Sequence, residues 1–134
     1  MHQTLKEIIK DLGIDIVIAY GIGRDGLYLP ETDTIFIREG LTDIQMHNVL
    51  LHELGHLILK HADTPLSSPC YHMKQESQAD DFWIEALAKE YLSKFEGQPE
   101  YVDVYKFLSV YQIELNYYDK AKHILTKLML ESFA

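Results

Sequence analysis

The chain has one cysteine in 134 residues, Cys70, so no internal disulfide can form and a zinc site built from several thiolates is excluded. That usage fits a reducing compartment. Basic residues are also scarce. Twelve Lys and Arg against 21 Asp and Glu leave a formal charge of −9, which argues against direct nucleic-acid binding, because phosphate contacts need a basic surface. No apolar run approaches the ~20 residues of a membrane span. The longest, "IDIVIAY" at 14–20, carries an acid. The opening "MHQTLKEIIKDLG" has mixed charge and lacks the apolar core of a signal peptide. A cytoplasmic protein without membrane contact is the expectation. Apolar residues make up 47% and charged ones 25%, the balance of a soluble globular chain whose length suits one domain over 1–134.

What is present divides into a short mixed region and a longer helical one. Leu5, Ile8, Ile9 and Leu12 recur at helical spacing, with Gly13 as a stop. The β-branched "IDIVIAY" reads as a strand, and "LYL" and "TIFIRE" as two more. "GIGRDG" between the first two satisfies G-x-G-x-x-G. The dinucleotide fingerprint needs a helix to open on the last glycine, whereas strand formers and Pro30 follow here, so a glycine-rich hairpin turn is expected. Thr42 and Gln45 form a capping box for a helix over 43–61. "DTPLSSPCYH" is expected to be a loop, followed by a helix from about Met73 to Phe95. "EGQPE" breaks that helix, and an antiparallel pair over about 100–114 and 118–132 closes the chain. The fold class is α+β: an N-terminal helix and a small antiparallel sheet packed on a mostly helical body.

The chemistry centres on "HELGH" at 52–56. Residues i and i+4 lie about 40° apart round a helix, so His52 and His56 project together and can offer two imidazole nitrogens to one metal ion. Glu53 falls beside them, too far round to share the same vertex but placed to reach a water there. Leu50, Leu51, Leu54, Leu57 and Ile58 form a broad apolar stripe that leaves the histidines on a minority face with Asn48. His47 and His61 lie off that face and read as structural.

A hydrolytic zinc site needs a third ligand, and the next helix offers two acids. Glu76 follows His56 by 20 residues and Asp80 lies one turn later, on a face shared with Trp83, Leu87 and Tyr91. Carboxylates on a core-facing stripe are costly unless compensated. A metal would compensate Glu76, and Asp80 would hold the outer nitrogen of a ligand histidine. Solvated acids favoured by the helix dipole are the competing reading.

"HELGH" with "ESQAD" downstream, the pattern E-x-x-x-D, resembles the gluzincin metallopeptidases. Together with "LYLPETDTIFI", the segments "DIQMHNVLLHELGHLILKH" and "ESQADDF" are similar to the ImmA/IrrE metallopeptidases of phages, mobile elements and stress responses, over about residues 14–92. The resemblance implies a minimal zincin-like domain holding one Zn2+ through His52, His56 and Glu76. Glu53 would be the catalytic base and Asp80 the outer-shell partner. Trp83, where the family commonly has a small residue, and the continuing helix "LAKEYL" depart from its pattern near the cleft. The implied activity is endopeptidase cleavage of a protein substrate, typically a helix-turn-helix repressor. A non-hydrolytic module that regulates a repressor or toxin by contact is the alternative. Tyr71, His72, Tyr117 and His123 are candidate donors to the oxyanion. "TIFIRE" is a candidate strand for pairing with extended substrate. The oligomeric state is open.

Overall fold

A computed structural model describes residues 5–59, 69–95 and 101–131. Helix α1 (Leu5–Leu12) ends where Gly13 takes a φ of +68°, a left-handed conformation open to glycine at little cost. Gly13 N–H bonds to the Lys10 carbonyl and Ile14 N–H to that of Ile9, the paired closure of a Schellman motif. That closure drops Ile14 into the core beside Ile9.

Strands β1 (Asp15–Ala19), β2 (Gly26–Leu29) and β3 (Thr34–Arg38) lie in the order β1-β3-β2, with β3 parallel to β1 and antiparallel to β2. The sheet is therefore mixed, where the sequence suggested a wholly antiparallel one. β1 and β2 are not neighbours. The segment at 20–25 strides past the end of β3, about 10 Å across two strand spacings, so "GIGRDG" is a crossing loop rather than a hairpin turn. The actual hairpin turns through 30–33, where Asp33 has a φ of 47°. Arg38 closes the crossing: its N–H meets the Asp25 carbonyl at 2.8 Å and its Nε the Asp25 carboxylate at 2.9 Å. "TIFIRE" is consequently the central strand. Both its edges are occupied, and it has no ladder free for a substrate.

Helix α2 (Asp43–Ile58) carries HELGH. Thr42 and Gln45 cap it reciprocally at 3.1 and 3.0 Å, as the sequence indicated. The helix lies between two apolar clusters. Leu54 packs with Ile35 and Ile37 of β3, and Leu51 packs with Trp83, Ile84 and the C-terminal helices. Two-sided burial explains the breadth of its apolar stripe. Helix α3 (Pro69–Ser93) begins a turn earlier than expected, because Pro69 suits a first helical position and lacks only an N–H that would have no partner there. Tyr71 and His72 thus belong to that helix. The expected loop falls partly, and the "EGQPE" break wholly, outside the described residues, as does His61.

The expected helix at 100–114 shortens to α4 (Val104–Val110), capped by Asp103. Gln112 turns left-handed at a φ of 54°, and the chain then inserts buried Ile113 before a 3-10 turn at Leu115–Tyr117 and helix α5 (Tyr118–Glu131). Phe107, Leu108 and Leu125 bury the pair against α3. The class is α+β, a helical body with a three-stranded sheet on one side. Among the described residues no helix is long and apolar enough to cross a membrane.

Candidate metal centre

The two acid- and histidine-bearing helices come into close contact at Gly55. A Cβ there would stand 3.1 Å from Ala79 Cα and 3.2 Å from the Ala79 carbonyl oxygen. Only a residue without a side chain lets α2 approach the α3 backbone so closely. His52 and His56 lie on one side of this crossing, and Glu76, one turn before Ala79, faces them.

Three donors converge there. His52 Nε2 lies 2.9 Å from Glu76 Oε2, His56 Nε2 lies 3.1 Å from Glu76 Oε1, and the two Nε2 atoms are 3.3 Å apart. Zinc binds nitrogen and oxygen at about 2.0–2.2 Å, so the edges of a tetrahedral site are ~3.3–3.5 Å long. The spacing of the two imidazole nitrogens matches such an edge, each faces a different oxygen of Glu76 at hydrogen-bond distance, and one donor atom from each residue lies within 4.8 Å of the others. The donor set, two imidazoles and a carboxylate, suits zinc and leaves a position open.

Asp80 completes the arrangement from outside. Its Oδ1 lies 2.9 Å from His52 Nδ1, which places the proton on that nitrogen and directs the Nε2 lone pair toward Glu76. With a carboxylate at each ring nitrogen, His52 holds a second proton firmly. Burial alone would lower its pKa, but the hydrogen bonds to Asp80 and Glu76 outweigh it and raise the value to about 9. Glu76 is held far below the usual carboxylate range, chiefly by the same two imidazoles.

Glu53 is 4% exposed, and burial pushes its pKa up against the pull of the two histidines. Gly26, at the start of β2, makes room for it. A Cβ at that position would overlap Val49 Cγ1 and stand 3.2 Å from Glu53 Cγ. A carboxyl with raised proton affinity in a cleft beside converging metal donors is suited to take and return a proton.

His52, Glu53, Glu76 and Asp80 line an open cleft of about 550 Å³, and His56 is not among its lining residues. Its near wall is the start of β2, and its far wall is the segment from Gln112 to Tyr117. The sequence reading missed what ties that wall down. Asn48 donates to the Tyr111 carbonyl at 2.8 Å and accepts from Trp83 Nε1 at 3.2 Å, joining α2, α3 and the far wall through one buried side chain. The available signal was its position one turn before His52 on the minority face. Of the candidate oxyanion donors, Tyr117 lines the cleft. His72 and His123 are exposed and are not among the cleft's lining residues, and the Tyr71 side chain lies outside the described residues.

Comparison with known proteins adds a family and a fold. The family model of Peptidase_M78, the IrrE N-terminal-like domain, matches residues 9–92. No curated protein matches the chain. Among solved structures, a Mycobacterium tuberculosis transcriptional regulator aligns with a TM-score of 0.55 and 18% identity, over 81% of this chain and 36% of its own. The present chain thus spans about a third of that regulator's length, and the likeness is one of fold.

Proposed function

Because the chain belongs to the Peptidase_M78 family of IrrE N-terminal-like domains, we propose that it is a zinc-dependent endopeptidase cleaving a specific regulatory protein, such as a phage or mobile-element helix-turn-helix repressor. The supporting observation is the convergence of His52, His56 and Glu76 at an open cleft that His52, Glu76 and buried Glu53 line. When bound, zinc supplies Lewis acidity at the point where water and a peptide carbonyl meet.

The chain's own residues do the rest. His52, His56 and Glu76 hold the ion, and Asp80 fixes the His52 ring and its tautomer. Glu53 accepts a proton from the attacking water and returns it to the leaving amine. Extended substrate lies along β2, an edge strand among the described residues. Asp25 bonds inward to Arg38, so by alternation the N–H and C=O of Gly26 and Tyr28 point outward. The charge of −9 favours encounter with a basic, DNA-binding target in the cytoplasm and disfavours DNA itself.

A second reading, a zincin-fold module that regulates by contact, draws support from the regulator that shares the fold. Wild type and Glu53→Gln, each carrying one zinc, are incubated with a randomised peptide library, and new N-termini are sequenced. Cleavage by wild type alone supports the peptidase. Zinc-bearing wild type that cleaves nothing more than the variant supports the contact module.

A further inference from the structure

The family match ends at residue 92, but the cleft does not. Its far wall comes from residues 112–117, and Tyr117 stands at the end of that wall. The Tyr117 ring meets Trp83 edge-on, with centroids 5.3 Å apart at 84°, and Trp83 in turn meets His52 at 6.5 Å. An aromatic relay therefore runs from the far wall to a candidate ligand. Trp83, held by Asn48, provides the surface that orients the tyrosine.

A second contact sets the depth of the wall. Lys120, one turn after Tyr117, reaches across to α3. Its Nζ lies 3.0 Å from the Ser77 carbonyl, 2.9 Å from Ser77 Oγ and 2.9 Å from Asp81 Oδ1. Ser77 and Asp81 directly follow Glu76 and Asp80. The clamp therefore fixes the start of α5 against the turns of α3 that carry both acids of the centre.

Tyr117 lines the same cleft as His52, Glu53, Glu76 and Asp80, and its hydroxyl makes no hydrogen bond to the described residues. An oriented phenol with a free O–H, across a cleft from a candidate metal and base, is placed to serve charge that develops between them. We propose that Tyr117 donates its hydroxyl proton to the oxyanion of the tetrahedral intermediate in a hydrogen bond, and that Lys120 is the positioning residue that holds it there. No covalent bond to Tyr117 forms, and the proton stays on the phenol. Burial and the charges of Asp80, Glu114 and Glu76 raise the Tyr117 pKa, so it remains a donor across the physiological range.

The inference rests on the peptidase reading, and its test separates the two. A mixture of phosphinic pseudo-tetrapeptides, randomised on both sides of the phosphorus, is offered to zinc-loaded wild type, and a bound member is identified by native mass spectrometry. The phosphinate mimics the tetrahedral centre and offers one oxygen to the hydroxyl. Its Kd is then measured by calorimetry beside that of a hydroxamate carrying the same side chains. Tyr117→Phe is expected to keep one zinc and its hydroxamate affinity but to bind the phosphinate 10- to 100-fold more weakly. Lys120→Met is expected to weaken phosphinate binding several-fold and to shift the fluorescence of Trp83, the sole tryptophan. Unchanged phosphinate affinity in zinc-bearing Tyr117→Phe overturns the assignment of Tyr117 and leaves the peptidase reading intact. Wild type that takes up no zinc, or phosphinate binding that persists in Glu76→Ala, overturns the metal site itself and this inference with it.

Discussion

Gly55→Ala sets two effects of comparable size against each other. Inside a helix, alanine is favoured over glycine by about 1 kcal/mol, so local propensity alone would stabilise α2. The new Cβ, however, would stand 3.1 Å from Ala79 Cα, 3.2 Å from the Ala79 oxygen and 3.2 Å from Phe82 Cβ. Ordinary carbon contacts lie at ~3.5–4.0 Å, so the helices must part by roughly half an ångström. None of the three atoms can move aside by a rotamer change, because two belong to the α3 backbone and the third is bonded directly to it. Overpacking of this kind costs about 1–3 kcal/mol, which exceeds the propensity gain. The expected net loss is about 0–2 kcal/mol, or up to several degrees in Tm. The effect on the metal should be larger. His52 and His56 sit on one helix and Glu76 on the other, and metal–donor distances tolerate only about ±0.2 Å. Zinc affinity is expected to fall at least ~10-fold, a loss of about 1.4 kcal/mol. Thermal unfolding of the metal-free protein and zinc competition with a chromogenic chelator measure the two effects separately. A variant more stable by about 1 kcal/mol with wild-type zinc affinity would refute close helix approach as the device that assembles the donors.

Three other outcomes follow from the same contacts. Asp80→Asn removes the carboxylate from His52 Nδ1 and is expected to weaken zinc binding ~10- to 100-fold with little change in fold; an unaltered affinity would leave Asp80 without that role. Asn48→Ala strands both the Tyr111 carbonyl and Trp83 Nε1 and should cost about 1–3 kcal/mol by denaturant unfolding, accompanied by a change in Trp83 emission. Metal-free protein should lose stability as pH rises. The His52 pKa is raised from 6.5 to about 9, so its contribution is complete below 6.5 and disappears through about 9. The span is worth at most about 3 kcal/mol. Urea midpoints flat across that window, or rising through it, would contradict the His52 contacts.

The residues that converge were legible early because their placement depends on local periodicity. HELGH puts two imidazoles on one side of a helix whatever surrounds it, and "ESQAD" puts two acids one turn apart on the next. The capping box and the Gly13 stop were legible for the same reason, since each is made within a few residues. Strand order was not. The pattern of β1, "GIGRDG" and β2 is equally compatible with a hairpin and with a loop crossing β3, because alternation specifies which face a residue takes but not which strand lies beside it. In the fold, β3 lies between β1 and β2, and its Ile35 and Ile37 are buried with Leu54 of α2.

The same division runs through the cleft. By itself the sequence determined an α+β chain with histidines and acids in ligand-like spacing, because those properties arise within single helices. Only the tertiary structure decided that Gly55 brings the two helices into contact, that Glu53 is buried against Gly26, and that Asn48 fastens Tyr111 across 63 residues. It also decided that Tyr117, and neither His72 nor His123, lines the cleft. The physical reason is that distances between elements depend on how side chains fill the space between them, and no local period in a sequence encodes that filling.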